Sequence, residues 1–256
     1  MPRQRLGQHF LIKTSVLDRI ARAACAEREP LVIEIGPGRG ALTERLLARA
    51  ERVVAVEIDR ALVEFLRERF AAEPRLTVID GDVLAIDLGQ WGRAAIAGNL
   101  PYYAATPIIE KVLALPSFER AVFLVQKEVA RRLTAAPGSR DYGFLSVRTQ
   151  CLADAKCLFD VPPSAFRPAP KVDSAVVSLR AHDRAAELGI KNRADFLKFV
   201  SLCFRQKRKT IRNNLAHAYG RQAMETFPEA EKRAEQLALE EFAGFYRRLT
   251  TSRPVV

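Results

Sequence analysis

The sequence predicts an α/β fold: an open, mostly parallel sheet with helices on both faces, then a small all-helical domain. Three observations carry this. Short apolar runs rich in β-branched residues alternate with stretches of helical spacing from Leu31 to Ala135. The first run, Leu31-Val-Ile-Glu-Ile, breaks into a glycine turn, Gly36-Pro-Gly38-Arg-Gly40, and a helical pattern follows. Beyond Arg180 no strand-like run occurs.

Each element has its own justification. Residues 1–13 form a short basic segment with an apolar plug, Phe10-Leu11. Residues 14–26 place Val16, Leu17, Ile20 and Ala24 on one helical face, with Thr14 as N-cap. Candidate strands are 31–35, 53–58, 76–80, 94–98 and 121–126, separated by helical stretches at 41–50, 60–71, 105–115 and 127–135. Strands alternating with helices imply βαβ units, and right-handed crossovers put helices on both faces. Residues 143–152 read as helix, and strands follow at 155–161 and 174–180. The Pro-rich turn between these two, Pro162 to Pro170, is short enough to make the last pair antiparallel. That gives seven strands. Residues 181–193 are polar and read as a linker, and 194–250 as helix. The expected division is 1–185 for the sheet domain and 186–256 for the helical one.

At 256 residues and 48% hydrophobic content the chain can bury a full core, and no apolar run is long enough to span a bilayer. A basic N-terminus with no signal-type block after it points to a cytoplasmic protein. The net charge of +11 and pI of about 9.9 suit a nucleic-acid partner, although a GC-rich genome also favours arginine. The four cysteines are never in C-x-x-C spacing and there are three histidines, so reduced thiols and no metal site are expected.

Ligands of such sheets sit at the carboxyl ends of the strands. The first strand ends in the glycine turn. It fits the dinucleotide pattern, and equally the first motif of a methyltransferase that binds S-adenosylmethionine (SAM); a bare turn is the plain alternative. The second ends at Glu57, where a carboxylate can accept both ribose hydroxyls of an adenosine. The third ends at Asp82, placed to accept from an adenine amino group or simply to make a turn. The fourth ends at Asn99-Leu100-Pro101-Tyr102, the sharpest signal in the chain. Exocyclic amines of nucleobases are poor nucleophiles because the lone pair is delocalised. An Asn oxygen and a neighbouring backbone carbonyl can accept both N–H bonds and aim the lone pair. Pro101 keeps Leu100 extended, and Tyr102 can stack on a base that has left its stack.

The order of these motifs resembles the ribosomal RNA adenine N6,N6-dimethyltransferase family over nearly the whole chain. Gly7-Gln8-His9-Phe10-Leu11, Glu34-Ile-Gly36-Pro-Gly38, Asn99-Leu-Pro-Tyr102, Gln126-Lys-Glu-Val129 and Tyr142-Gly-x-Leu145-Ser-Val147 are similar to family segments. So is the run from Val161-Pro-Pro through Phe166-x-Pro168-x-Pro170 to Ser174. Phe204-x-Gln206-x-Arg208-Lys209-Thr210-Ile211-Arg212-Asn213 resembles the basic helix of the KsgA branch. The resemblance implies a Rossmann-like SAM-dependent methyltransferase sheet of seven strands, the last antiparallel. It implies dimethylation of two adjacent adenosines in the 3′-terminal hairpin of 16S rRNA, within the 30S subunit or its precursor, by a monomeric enzyme with a role in subunit biogenesis. It assigns SAM contacts to His9, Leu11, Gly36, Glu57, Asp82 and Asn99, and target-adenine contacts to Asn99, Leu100, Pro101 and Tyr102, with Phe166 lining the other side. Position 9 is often Asn in the family and is His here; both can donate to a SAM carboxylate. The stretch 204–212 reads as a basic helix that tracks phosphates through Arg205, Lys207, Arg208, Lys209 and Arg212, with Arg140, Arg167 and Lys171 widening the positive surface.

Four other readings compete. An Erm-type enzyme shares the fold and most motifs but acts on 23S rRNA; the Asn-Leu-Pro-Tyr form and the long C-terminal helical region favour the KsgA branch. A DNA adenine methyltransferase would carry Pro where Leu100 stands. A nicotinamide dehydrogenase leaves the Asn99 loop without a role. A ribosome-assembly factor is compatible with the enzyme reading.

Overall fold

The computed structural model describes residues 9–251 and divides them into two units. Gly7 and Gln8 of the first motif lie outside the described residues. One unit runs up to Ala130 and resumes over Ala155–Ala181; the other takes Arg131–Asp154 and continues from His182.

The first unit is built on a seven-stranded sheet. A short strand, β1 (Phe10–Leu11), precedes helix α1 (Thr14–Ala24). Then β2 (Val32–Ile35), α2 (Ala41–Leu47), β3 (Val53–Glu57), α3 (Arg60–Arg69) and β4 (Leu76–Asp80) alternate. After them come β5 (Ala94–Asn99), α4 (Ala105–Leu113), β6 (Phe118–Gln126) and α5 (Lys127–Thr134). Helix α6 (Phe144–Leu152) is followed by β7 (Ala153–Val161), β8 (Phe166–Arg167) and β9 (Ser174–Ala181). The sheet order is β4-β3-β2-β5-β6-β9-β7, parallel from β4 to β6 and antiparallel at β6–β9. The chain starts in the middle of the sheet and winds outward both ways, so the order reverses between β2 and β5. A cleft opens at that point in such sheets.

Local chemistry explains the elements. Every residue of β2 and β3 is buried, as strands covered on both faces require. The apolar stripe of α1, Val16, Leu17, Ile20, Ala21 and Ala24, packs against α2 and the strands β5 and β6. Asp59 caps α3 by accepting from Ala61 N–H at 3.0 Å. Thr14 does not cap α1. It is the first helical residue, and Lys13 stands at the cap with no side-chain bond. The pair β1–β8 was not legible in the sequence. Two-residue strands have no period, and their antiparallel register, Phe10 opposite Arg167 and Leu11 opposite Phe166, spans the whole sheet domain.

The second unit contains α6, α7 (Arg184–Glu187), α8 (Arg193–Cys203), α9 (Ile211–Tyr219) and α10 (Leu239–Thr251). Residues 131–154 belong here, and not with the sheet as the expected boundary at 185 has it. The reason is packing: α6 lies against α7, α8 and α10, and the buried Tyr142 hydroxyl donates to Leu237 O at 2.9 Å. Phe199 and Phe245 meet edge to face at 5.4 Å in the core. The expected linker 181–193 holds the short helix α7, capped by Asp183.

The basic stretch 204–212 is not a helix. Helix α8 stops at Cys203, residues 204–210 form a turn, and α9 starts at Ile211. Two devices impose this. The buried Asn214 amide donates to Cys203 O at 2.7 Å and accepts Gln206 N–H at 3.0 Å, which clamps the turn. Thr210 then caps α9 by accepting from Asn213 N–H.

Candidate active site

The loops after β2, β3, β4 and β5, together with β1 and the start of the β8 turn, enclose a cavity of about 580 Å³ in the first unit. That volume is typical of a pocket for a drug-sized ligand. Gly36 and Gly38 adopt φ of 68° and 58°, which only glycine holds without strain. A Cβ on Gly38 would come within 3.2 Å of the Phe10 ring, and one on Gly36 would point at Asn99 O, 3.6 Å away. The turn therefore presents bare backbone to the cavity and faces the Asn99 loop.

Glu57 holds this turn in place. Its carboxylate accepts from Gly38 N at 3.1 Å, Ile58 N at 2.9 Å and Asp59 N at 3.0 Å. Burial pushes its carboxyl above the usual range, and the three backbone N–H groups pull it back. Asp82 lines the cavity, and its Oδ1 accepts Leu84 N–H at 2.8 Å in a tight turn. Leu11 and Gly36 line the same cavity.

At the end of β5, Gly98 lets two strands approach: a Cβ there would lie 2.4 Å from Ile35 O. Asn99 follows. Its Nδ2 donates to His9 O at 3.0 Å, and because a carbonyl can only accept, this fixes which end of the amide is oxygen. Oδ1 is left as the acceptor end. Leu100 is buried, and its N–H donates to Leu124 O at 3.0 Å. Tyr102 is tied by a 2.8 Å hydrogen bond between its hydroxyl and that of the buried Ser174. The His9 ring stands 5.7 Å from the Tyr102 ring at a 30° tilt. His9 Nδ1 donates to Pro168 O at 2.7 Å, so in the neutral ring Nε2 is an acceptor.

The structure thus brings His9, Leu11, Gly36, Glu57, Asp82, Asn99, Leu100, Pro101 and Tyr102 to one cavity. Phe166 does not join them. Alternation along β8 turns it into the hydrophobic core, where it is 3% exposed, while Arg167 and Pro168 take the cavity wall. Two of the lining residues that the sequence reading gave no role stand out by their chemistry. Glu34 is buried, and its Oε2 makes no hydrogen bond. Burial pushes its carboxyl up to about 8, while the Thr43 hydroxyl pulls back and the Glu57 charge adds to the rise. The signal was present: a lone acid inside an otherwise apolar strand. The other is Tyr103, which among the described residues is the most exposed large hydrophobic one.

Of the expected phosphate-tracking residues, Arg205, Lys207, Arg208 and Lys209 are exposed on the α8–α9 turn. Lys207 Nζ donates to Arg140 O at 2.9 Å. Arg212 is half-buried and paired with Glu231. Arg167 and Lys171 are exposed on the first unit. Among the described residues no cluster of His, Cys, Asp or Glu is arranged to hold a metal ion, and no helix is long and apolar enough to cross a membrane.

The family description "Ribosomal RNA adenine dimethylase" matches residues 2–251. The chain belongs to that family. As a member it is an rRNA adenine dimethyltransferase that takes its methyl groups from SAM. The ribosomal RNA small subunit methyltransferase A of Acidobacterium capsulatum is 43% identical over 96% of this chain and 90% of its own length. The protein of the same name from Synechococcus sp. strain JA-3-3Ab is 46% identical over 87% and 82%. Among solved structures, a dimethyladenosine transferase from Plasmodium falciparum superposes with a TM-score of 0.81 at 27% identity, covering 95% of this chain and 98% of its own. The 23S rRNA methyltransferase ErmE gives 0.73 at 29%, covering 94% and 99%. The seven-stranded sheet with its antiparallel strand is the fold of these Rossmann-like methyltransferases. The cavity fits SAM on its own terms: bare glycine backbone at positive φ leaves room for a nucleoside to pack closely against the turn.

Proposed function

We propose that this dimethyltransferase modifies N6 of two adjacent adenosines in the 3′-terminal hairpin of 16S rRNA, within the 30S subunit or its precursor. It works there as a cytoplasmic monomer and contributes to small-subunit biogenesis. The observation that carries the reading is the Asn99 amide. With Nδ2 spent on His9 O, its oxygen is the end available to an amine in the cavity. The small-subunit names of the relatives at 43% and 46% identity support 16S over 23S rRNA.

Glu57 takes the ribose hydroxyls of SAM, Asp82 its adenine amino group, and Gly36, His9 and Leu11 the rest of the donor. When bound, SAM supplies a methyl carbon activated by a sulfonium. Asn99 Oδ1 and the Leu100 carbonyl accept the two N–H bonds of the adenosine and turn its lone pair toward the donor side. Tyr102, its hydroxyl fixed on Ser174, offers a flat face to the extruded base. No strong base is required, because the alkylated nitrogen is acidic and sheds its proton readily. The sheet unit carries the catalytic site, and the helical unit adds rRNA contacts, chiefly Arg205, Lys207, Arg208 and Lys209 with Arg140 and Arg212, while Arg167 and Lys171 add to them from the sheet unit.

The test is mass spectrometry of rRNA after incubation with SAM, using 30S particles that lack the modification and, separately, 23S rRNA. Two dimethyladenosines in the 16S hairpin are expected. A mark on 23S rRNA alone transfers the assignment to the Erm-type activity that the ErmE likeness also fits.

A further inference from the structure

We propose that Tyr103 is a stacking platform for the purine that adjoins the extruded adenosine, a role that rests on the rRNA reading above. Tyr103 is 65% exposed and lines the cavity beside Pro101 and Tyr102. Its backbone is held in a turn that Ala104 N–H closes on Pro101 O at 3.0 Å, just before α4 begins. The ring is thus fixed at its root and open at its face. A ring so placed, next to Tyr102 and on the cavity wall, is in position to meet the flat face of a base that comes to the cavity.

The neighbouring tyrosine defines the difference. Tyr102 is half-buried and its hydroxyl is engaged by Ser174, so its ring belongs to the cavity interior. Tyr103 is one residue further out. A nucleotide drawn into the cavity brings its chain neighbours to the mouth. Extrusion also strips the neighbouring base of a stacking partner. A flat ring at that place restores the lost contact, and it does so for any purine because every base has a π-face. The occupant is an unpaired purine of RNA, which the positive charge of +11 attracts through its phosphates.

The experiment uses the full chain and two short RNA hairpins. One carries the target adenosine with a natural purine flank, the other an abasic flank. For the natural flank, Tyr103→Ala raises KM by about fivefold or more, the low end of what one stacked base contributes. The rise sits in KM and not in kcat, and SAM affinity measured by calorimetry stays within about twofold. Tyr103→Phe keeps the wild-type KM. With the abasic flank the wild type and Tyr103→Ala converge. If Tyr103→Ala worsens both substrates equally, or if it weakens SAM binding to the same degree, the platform is refuted and Tyr103 acts on the cavity itself. If the wild type methylates neither hairpin but does methylate 30S particles, short hairpins are no substrates and the same comparison, made on particles with an abasic flank, decides. If it methylates none of these, the rRNA reading falls and the platform falls with it.

Discussion

The Asn99 amide faces two ways, toward the His9 carbonyl and toward the cavity, and its replacement separates the two. Asn99→Ala should lower methyl transfer by about a hundredfold or more, the range seen when a positioned polar group at a reacting centre is lost. SAM binding, followed by calorimetry, should stay within a few-fold. Wild-type-like methylation by that variant would sink the assignment. Glu34 gives a second residue-level prediction. Its carboxyl stands at about 8 in the folded chain against a usual 4.5, so between these values the folded state holds the proton more tightly. Its contribution is complete below 4.5 and lost as pH rises through about 8. Stability should therefore decline across that window by at most about 1.4 kcal/mol per pH unit from this group. Glu57 is shifted in the same direction and adds to the decline. In thermal melts Glu34→Gln should flatten the profile between pH 5 and 8; a slope identical to the wild type would show that Glu34 is ionised throughout. Neither residue was equally legible beforehand. Asn99 sits in a motif whose chemistry is readable. Glu34 stands out as a lone acid in an apolar strand, but how deeply it is buried depends on the two neighbouring strands.

At the scale of elements, the α8–α9 turn carries the basic cluster. Six charged or polar residues in a row, Arg205 to Thr210, gave a plausible helix, and hydrogen bonds from the Asn214 side chain across the turn to Cys203 and Gln206 overrode it. A turn holds its cations on a short, clamped backbone and not along one helical face. Replacing Arg205, Lys207, Arg208 and Lys209 by Gln should make the slope of log affinity for rRNA against log salt shallower by about 3, at roughly 0.7–0.9 per lost phosphate contact. An unchanged slope would put the RNA elsewhere. The other element with a clear handle is α7. His182 faces Glu187 at 2.8 Å through Nε2 and Asp154 at 3.1 Å through Nδ1, and those two partners raise its pKa above 6.5. The bonds are fully present below 6.5 and are lost as pH rises through the raised value. Hydrogen-exchange protection of Arg184–Glu187 should fall over that rise, and His182→Gln should abolish the pH dependence. A pH-independent protection in the wild type would mean that the imidazolium does not hold the helix.

For the whole molecule, the sheet was readable almost strand by strand: the central strands β2, β3 and β5 are buried over nearly their whole length and keep a continuous apolar run, while the partly exposed β4 and β7 were legible from their alternation with helices and turns. All seven expected strands are present, with ends shifted by three residues at most. The two-residue strands β1 and β8 were not readable, and neither was the inward turn of Phe166 that follows from their pairing. The candidate site was legible wherever a strand end coincides with a chemically distinctive loop. It was illegible where a residue enters the cavity through long-range pairing, as Pro168 does beside the β1–β8 strands.

The assignment of residues 131–154 to the second unit bears on how the protein can be shortened. A chain stopped after Ala185 would keep Tyr142 and α6 and delete α8, α10 and Leu237, the surfaces that hide them. Bare aromatic and aliphatic side chains would then meet water, and such a fragment should clump. Joining Ala130 to Ala155 and ending at Ala181 removes both pieces together, and a soluble product from that splice, beside an insoluble one from simple truncation, is what the packing demands.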